Sequence, residues 1–387
     1  MSMLLIDRRY VRSFDWLSFL IMLIISAIGL ICVYSATYKP EQHFSLFFKK
    51  QVFGILSGLI IYFTCCFFDY RTLERWGYFF YFCVLILLLF TIILGSIRMG
   101  GQRWINLGII KFQPSELAKL LFPPFFSYYM YTEKDFLNAK FSDFLPVLSI
   151  LGVSTLLIRK QPDLGTALIV LFSGTIMLWF AGIGKKFFMT IALLCALTTP
   201  ILWKGLHEYQ KKRILVFLGY GDSRKERYQI EQSKIAIGSG GLYGKGFLKG
   251  TQNKLMFLPE ARTDFIFSVL CEEWGFIGAL TLILLYTILF IRFFTVIISI
   301  KNFFAQLLAT GLIMHIIIST VINICMVSGL APIVGIPLPF MSYGISHLWI
   351  TFASLGCYNS IAMRRFYLSM SASTNTTQNT LTAGHFQ

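Results

Sequence analysis

The chain has 387 residues, of which 56% are hydrophobic and 13% charged, and its formal net charge is +16. Soluble domains contain about 25% charged residues, so this composition excludes a soluble globular enzyme, a disordered chain and a small disulfide scaffold. A membrane protein with this much positive charge uses it for cytoplasmic anchoring or for binding an anionic partner.

Ten apolar runs are long enough, or nearly so, for membrane-spanning helices, which need about 20 residues each. The runs are continuous rather than alternating, which excludes a strand barrel. They lie at residues 16–36, 50–68, 77–95, 114–132, 143–158, 164–181, 186–203, 265–291, 303–328 and 340–362. The sequence therefore predicts an all-α polytopic membrane protein with about ten transmembrane helices.

The distribution of positive charge predicts the orientation of these helices. Segments on the side of the two termini hold 13 Lys and Arg residues, and the short loops opposite hold 8. Because cytoplasmic loops are enriched in Lys and Arg, we expect both termini to be cytoplasmic. Residues 1–15 would form a cytoplasmic N-terminus. Residues 363–387 would form a cytoplasmic tail, which we expect to be disordered because it is rich in Ser, Thr and Asn.

One connection, residues 204–263, is much longer than the others and is expected outside the cell, between helices 7 and 8. It carries 12 Lys and Arg residues, and connections of this length usually carry function. Its glycine-rich stretch, residues 238–246, contains Lys245 and could bind a phosphate group through exposed amides. Ser239 and Gly246 depart from the Walker pattern, which argues against ATP.

Four charged residues fall inside apolar runs, where ionisable side chains are functional candidates. Glu116 and Lys119 are three residues apart and share one helix face. They form either a buried ion pair that fixes helix packing or the wall of a polar cavity. Glu272 and Glu273 point in different directions, and we interpret them as packing residues or as a polar seam.

Asp264 lies where the long connection enters the eighth predicted helix. Either Asp264 or Thr263 could simply cap that helix. Alternatively, Asp264 could act as a general base beside the membrane surface, because a helix N-terminus favours the ionised carboxylate.

A second irregular segment contains Pro332, Pro337 and Pro339, which cannot continue a helix. At membrane depth, irregular backbone is expected only where it is buried in protein or lines a cavity. The helices that flank this segment contain His315 and His347, which we interpret as hydrogen-bonded interior residues. Residues 54 and 58 form a Gly-xxx-Gly pair that predicts close helix packing.

Together these residues resemble the SEDS family (shape, elongation, division and sporulation). The doubled proline at 336–339 is more similar to the RodA branch of the family than to the FtsW branch. Matching stretches recur in family order from about residue 15 to 362: GQRWI at 101–105, QPSELAK at 113–119, QPDLGTA at 161–167, YQ at 228–229, QSKIAIGSGG at 232–241, GTQ at 250–252, residues 258–267, GIPLPF at 335–340 and SYG at 342–344.

The resemblance implies a SEDS transmembrane domain over residues 16–362, with a large extracytoplasmic loop at 204–263. It implies a peptidoglycan glycosyltransferase of the bacterial cytoplasmic membrane that polymerises lipid II into glycan strands at the outer face. The implied partners are a class B penicillin-binding protein and other membrane proteins of the elongation complex, and no nucleic acid. By position, Asp264 matches the essential acidic residue, and Glu116 and Lys119 match a polar pair in the central cavity.

For this reaction one base is enough, because a pyrophosphate leaves without a proton. Asp264 is the predicted catalytic base, and the displacement of undecaprenyl pyrophosphate would invert the sugar. We expect no dedicated metal site, although a divalent cation (Mg²⁺ or Mn²⁺) could share the pyrophosphate. The predicted substrate-binding residues are Arg103, Gln113, Glu116, Lys119, Asp163, Arg213, Lys245, Gln252, Glu260, Arg262 and Ser342.

One departure from the family pattern follows residues 342–344, where small residues usually come next. This chain has Ile345 and His347 instead, which affects helix packing and any substrate contact by that turn.

Two other functions remain open. A lipid II flippase would also need a basic cavity but no catalytic carboxylate, and a non-catalytic scaffold for the penicillin-binding protein would tolerate changes at Glu116 and Lys119.

Overall fold

The computed structural model describes residues 13–40, 44–98, 101–106, 111–132, 141–206, 208–220, 224–254 and 257–365. The predicted cytoplasmic N-terminus before residue 13 and the predicted tail after residue 365 lie outside these ranges. Within them the chain is built mainly from helices. In chain order the elements are α1 (Trp16–Thr37), α2 (Leu46–Phe67), α3 (Arg71–Leu94), β1 (Ser96–Arg98), β2 (Gly101–Asn106), β3 (Lys111–Phe112), α4 (Pro114–Thr132), α5 (Phe141–Lys160), α6 (Leu164–Phe180), α7 (Lys185–Lys204), α8 (Glu208–Phe217), α9 (Arg224–Ser239), α10 (Thr251–Lys254), α11 (Ile266–Ser299), α12 (Phe303–Val327) and α13 (Ile345–Arg364).

Each of the ten predicted apolar runs coincides with a long helix of the structure. Five helices in the described ranges are long and apolar enough to cross a membrane: α1, α2, α3, α11 and α12. The prediction of an all-α polytopic membrane protein is therefore confirmed. The number of crossings and the side on which residues 204–263 lie stay predictions.

The sequence did not predict the strands between α3 and α4. β1 pairs with β2, and β2 pairs with β3, both antiparallel. These strands are two to six residues long, too short for an alternating pattern to stand out. Their importance is positional, because β2 carries Arg103.

Some predicted boundaries were wrong. The described part of residues 204–263 contains three helices, α8, α9 and α10, in keeping with the many good helix formers (Lys, Arg, Glu and Gln) in this segment. The predicted tenth helix starts at Ile345 rather than at residue 340, because Phe340 has a φ of 62° and the chain turns there. The eighth helix continues beyond residue 291 to Ser299.

The predicted packing role of Gly54 and Gly58 is confirmed. A Cβ atom at Gly58 would lie 2.9 Å from a ring carbon of Phe352, and one at Gly54 would lie 3.2 Å from a methyl carbon of Leu348. Both contacts join α2 to α13. A Cβ atom at Gly58 would require the Phe352 ring to move, and one at Gly54 would require a smaller shift of Leu348.

The glycine-rich stretch at residues 238–246 packs into a break in α11 at Gly275, where φ is 67° and ψ is −161°. The backbone amides of Lys245 and Gly246 donate to the carbonyls of Glu272 and Glu273, at 2.9 and 3.0 Å. These amides, which could have bound a phosphate group, are therefore already bonded to α11. The glycines here permit close approach between two backbones.

The side chains of Glu272 and Glu273 complete this junction. Glu272 Oε1 accepts hydrogen bonds from the Lys245 ammonium and the Thr251 amide, both at 2.7 Å, and from the Gln252 amide at 3.0 Å. The Ser35 hydroxyl donates to Glu273 Oε1. The polar-seam interpretation of the two glutamates is confirmed: they attach residues 245–252 to the helix bundle.

We expect Gly244→Ala to destabilise the protein more than Gly241→Ala. Both glycines have positive φ, 78° and 57°, so both substitutions carry the same backbone penalty of about 1–2 kcal/mol. Only at Gly244 would the new Cβ clash, 2.1 Å from the Glu273 carbonyl oxygen, whereas nothing lies within 4 Å at Gly241. The clash should add about 1–3 kcal/mol.

The measurement is thermal unfolding of the two variants and the wild type in detergent. Equal losses in Tm for the two variants would show that the close approach to α11 contributes nothing to stability.

Candidate active site

Asp264 lies in a tight turn immediately before α11. The N-cap of α11 is Phe265, and no side chain caps this helix end. The interpretation of Thr263 or Asp264 as a helix cap is therefore wrong. Asp264 is half-buried, and its carboxylate does not cap the helix that follows it.

Three consecutive carbonyl groups of this turn accept hydrogen bonds from outside it, two from the segment before α13 and one from α12. The Tyr343 amide donates to the Arg262 carbonyl at 3.0 Å. The Ser342 hydroxyl donates to the Thr263 carbonyl at 2.6 Å. The Asn323 side-chain amide donates to the Asp264 carbonyl at 2.8 Å.

The proline-containing segment, residues 332–343, is itself fixed by buried side chains. The Asn323 amide also donates to the Ile336 carbonyl at 2.7 Å, and the Tyr286 hydroxyl donates to the Pro339 carbonyl at 2.5 Å. A Cβ atom at Gly335 would lie 3.4 Å from Asp264 Oδ2. Residues 338–342 are buried, as expected for irregular backbone, whereas Gly335 is exposed and borders the carboxylate.

The electrostatic surroundings of Asp264 suit a general base. Burial raises the pKa of the Asp264 carboxyl from its ordinary 3.8 to about 6, and the neighbouring Glu260 carboxylate contributes to this rise. The guanidinium groups of Arg213 and Arg103 lower this pKa without cancelling the rise. A base works best when its pKa is near the working pH. A pKa of about 6 therefore suits the Asp264 carboxyl to proton transfer better than the ordinary 3.8.

Separate parts of the chain bring the two arginines to Asp264. In β2, the Arg103 guanidinium donates to the Gln161 carbonyl at 3.0 Å and to the Pro162 carbonyl. In α8, the Arg213 guanidinium donates to the Ile333 carbonyl at 3.0 Å. The unpredicted sheet and the helical part of residues 204–263 thus each supply one cation.

Glu260 and Arg262 belong to the same turn as Asp264. Glu260 has a φ of 55°, which is unusual for a residue with a side chain, and its carboxylate accepts from the Thr263 hydroxyl at 3.2 Å. The Arg262 guanidinium stacks on the Phe47 ring, 4.0 Å from its centroid. Stacking leaves the edge N–H groups of a guanidinium available for an anion.

A second polar group lies inside the helix bundle. Glu116 and Lys119 form a buried ion pair in which Lys119 Nζ is 2.7 Å from both carboxylate oxygens. His347 Nδ1 lies 3.2 Å from Glu116 Oε2. His315 is within electrostatic range of all three and interacts with the Leu312 backbone, and no described side chain bonds to its ring nitrogens. The interpretation of the two histidines as hydrogen-bonded interior residues is confirmed for His347, and His315 is likewise an interior residue, with the Leu312 backbone as its hydrogen-bonding neighbour.

A third group surrounds Asp163, which caps α6 by accepting from the Thr166 amide at 3.2 Å. Asp163 Oδ2 also accepts from Gln113 Nε2 at 2.6 Å and from the Ser115 hydroxyl at 3.0 Å. A Cβ atom at Gly165 would lie 2.9 Å from Ile336 Cγ1. This group therefore borders the proline-containing segment beside Asp264.

The predicted substrate residues Lys245 and Gln252 are joined to Glu272 at the seam described above. The twelve predicted site residues therefore do not form one cluster in the structure. Arg103, Arg213, Glu260 and Arg262 surround or adjoin Asp264, whereas Lys119 and Lys245 are each paired with a buried glutamate. Ser342 is fully buried, and its hydroxyl also accepts from the Leu338 amide at 2.8 Å.

Sequence reasoning missed Asn323, which touches the Asp264 backbone from α12. The signal was present, because Asn323 is an amide inside an apolar helix, where an unpaired polar group is expensive. Unlike an ionisable residue, an uncharged amide does not stand out by charge in an apolar run, and its hydrogen-bonding capacity is the signal that marks Asn323.

Residues 15–367 match the model of the cell cycle protein family of FtsW, RodA and SpoVE. The chain belongs to this family. Its FtsW/RodA/SpoVE fold therefore covers nearly all the described residues, including every group discussed above.

Similar proteins agree with this assignment. The chain is 39% identical to the peptidoglycan glycosyltransferase MrdB of Escherichia coli K12 over 325 residues, which cover 84% of this chain and 87% of that protein. It is 26% identical to the rod shape determining protein RodA of Thermus thermophilus, with a TM-score of 0.68 over 91% of this chain and 98% of that one. A chain from a peptidoglycan synthase complex, described as coordinating polymerization and crosslinking, gives 27% identity and a TM-score of 0.78 with the same coverage.

We expect His347→Leu to destabilise the protein more than His315→Leu. The change is the same and both histidines are buried, but only His347 bonds to Glu116. Losing a hydrogen bond to a charged group should destabilise the protein by about 1.5–3 kcal/mol. The His315 ring makes no hydrogen bond to a charged group, so replacing it with an apolar side chain should be less destabilising.

Thermal unfolding of the two variants measures this difference. If His315→Leu lowered Tm as much as His347→Leu, the bond between His347 and Glu116 would not be the stabilising contact.

Proposed function

We propose that this chain polymerises lipid II into glycan strands, with Asp264 as the general base. The chain is a peptidoglycan glycosyltransferase, the activity for which its E. coli relative is named. The observation that carries the assignment of Asp264 is its half-buried carboxylate, with a pKa raised to about 6, within electrostatic reach of Arg103 and Arg213.

The reaction proposed is a single displacement. The 4-hydroxyl of the acceptor sugar attacks the anomeric carbon of the donor, and Asp264 takes the hydroxyl proton. The bond from the anomeric carbon to the pyrophosphate oxygen breaks, and its electron pair leaves with undecaprenyl pyrophosphate. No acid is needed because the pyrophosphate departs as an anion, and attack from the opposite face inverts the anomeric centre.

We assign the pyrophosphate to Arg103, Arg213 and Arg262. The first two are held in place by backbone carbonyls, and the third by the Phe47 ring. Fixed cations of this kind stabilise charge that develops on a leaving group. Lys119 and Lys245 are less suitable, because binding the pyrophosphate would take each away from a buried glutamate and leave an uncompensated charge.

A divalent cation at the pyrophosphate stays part of the proposal. In the described ranges, no three His, Cys, Asp or Glu residues are grouped to hold a metal ion. Mg²⁺ commonly takes only one or two carboxylates and completes its shell with water and substrate phosphates. Glu260, beside Asp264, is the carboxylate that could fill this role, and the ion would neutralise charge on the departing pyrophosphate.

The chain is a multi-pass protein of the bacterial inner membrane, as its apolar helices and family indicate. We further propose that both termini are cytoplasmic and that the Asp264 turn faces outward. A class B penicillin-binding protein is the proposed partner, supported by the likeness to a chain of a peptidoglycan synthase complex. A role in elongation is supported by the likeness to MrdB and RodA.

We expect Asp264→Asn to reduce lipid II polymerisation about 10²- to 10⁴-fold, the range for loss of a general base. The substitution keeps the shape of the side chain and removes only the base. The matched control is Glu231→Gln, which makes the same acid-to-amide change at an exposed ion pair with Arg227 in α9. The assay follows glycan length from labelled lipid II, with and without the partner protein.

Normal glycan synthesis by Asp264→Asn would contradict the assignment of the base. The assay also separates the alternatives, because a flippase would move lipid II without forming polymer. If the chain were a scaffold, the wild-type protein would bind the partner but form no polymer.

A further inference from the structure

The peptide groups on both sides of Asp264 are held from outside the turn. Ser342 binds the carbonyl of the preceding peptide group, which belongs to Thr263, and Asn323 binds the carbonyl of Asp264 itself. Because each peptide group is planar, fixing both carbonyls fixes φ and ψ of Asp264. The direction of its Cα–Cβ bond, and so of its carboxylate, is then set by two side chains distant in sequence.

The hydrogen-bond donors of both side chains are committed to the backbone, whereas Asn323 Oδ1 has no hydrogen-bond partner among the described residues. Asn323 Nδ2 uses its two hydrogens for the carbonyls of Asp264 and Ile336. The Ser342 hydroxyl donates to Thr263 and accepts from the Leu338 amide. Asn323 and Ser342 are both 0% exposed. Neither offers these groups to a substrate.

The same two side chains also set the distance between Asp264 and the proline-containing segment. Each one bonds to the Asp264 turn with one hydrogen-bonding position and to the proline-containing segment with another. Gly335, in that segment, borders the carboxylate. The space beside Asp264 Oδ2 is therefore bounded by two pieces of backbone that Asn323 and Ser342 hold together.

We propose that Asn323 and Ser342 are positioning residues for the reaction: they hold the turn and the proline-containing segment together, and so aim the Asp264 carboxylate at the acceptor hydroxyl. This inference rests on the proposed function of Asp264. It reassigns Ser342, for which the family resemblance predicted substrate binding, and it adds Asn323, for which no role was predicted.

A positioning role and a binding role affect different kinetic constants. Misplacing a catalytic group by about 1 Å can slow a reaction about 10²-fold. Substrate binding, which depends on the arginines and on contacts with the lipid, should be little changed. Loss of an interaction made only in the transition state lowers kcat and leaves KM unchanged, whereas loss of a ground-state contact raises KM.

The test uses Asn323→Leu, which is similar in volume and lacks both donors, and Ser342→Ala, which removes one hydroxyl. The control is Thr320→Val, one turn before Asn323 in α12. Thr320 is also buried, but its hydroxyl bonds within its own helix to the Ile316 carbonyl at 2.9 Å. Each purified variant is measured for kcat and KM in lipid II polymerisation, for binding of fluorescent lipid II and for Tm.

We expect Asn323→Leu to lower kcat about 10²-fold and Ser342→Ala about tenfold, since the hydroxyl is the smaller change. KM and the number of lipid II molecules bound per protein should stay within about twofold of wild type for both variants. Thr320→Val should match the wild type. If Asn323→Leu does not fold, Ser342→Ala by itself tests the connection between the Asp264 turn and the proline-containing segment.

Three results would overturn the proposal. A raised KM with normal kcat in Ser342→Ala would mean that Ser342 contacts substrate. A loss of kcat that only parallels lost lipid II binding sites and lower Tm would mean that the two residues serve stability alone. Normal kcat in both variants, with Asp264→Asn inactive, would remove the positioning role and leave the proposed function intact, whereas an active Asp264→Asn would remove both.

Discussion

The arrangement of the site depends on the hydrogen bonds that join the Asp264 turn to the segment before α13. Each of these pieces of backbone is irregular, and neither forms a helix or sheet that would satisfy its own polar groups. In a membrane protein such backbone must find partners inside the protein. Here the two pieces satisfy each other through Asn323, Ser342 and the Tyr343 amide.

This constraint explains why the site draws on distant parts of the chain. The proline-containing segment is held by α12 and by Tyr286 of α11, and it accepts a hydrogen bond from Arg213 of α8. The turn after α5 holds Arg103 of β2. Two cations and one carboxylate are thereby brought together by backbone carbonyls, which hold cations without cancelling their charge.

The acidic groups divide into two kinds. Glu116 and Glu272 are buried and each is paired with a lysine, and Glu273 is bonded to Ser35. Their hydrogen-bonding capacity is used within the protein, which suits a structural role. Asp264 differs because it is half-buried and lies near two arginines rather than being bonded to a single structural partner. Its pKa is raised to about 6, the pattern expected of a proton acceptor.

Much of the fold could be predicted from hydrophobicity, because a membrane helix is defined by a long apolar run that is readable without any partner. The Glu116–Lys119 pair was predictable for the same reason, since helix periodicity places residues three apart on one face. The bond from His347 to Glu116 was not, because the two lie in different helices whose packing no local pattern reveals. Likewise, the glycines at 238–246 resembled a phosphate site, and only the break in α11 shows that they serve backbone packing.

The central claim is that Asp264 loses its proton within the working pH range and then accepts one from the acceptor sugar. Infrared difference spectra of wild type against Asp264→Asn, recorded across pH, observe this carboxyl directly. We predict a titration with a midpoint at about pH 6, and a polymerisation rate that falls below the same pH because the protonated carboxyl cannot act as a base. A midpoint at the ordinary value of 3.8, with the rate still falling below pH 6, would contradict the account.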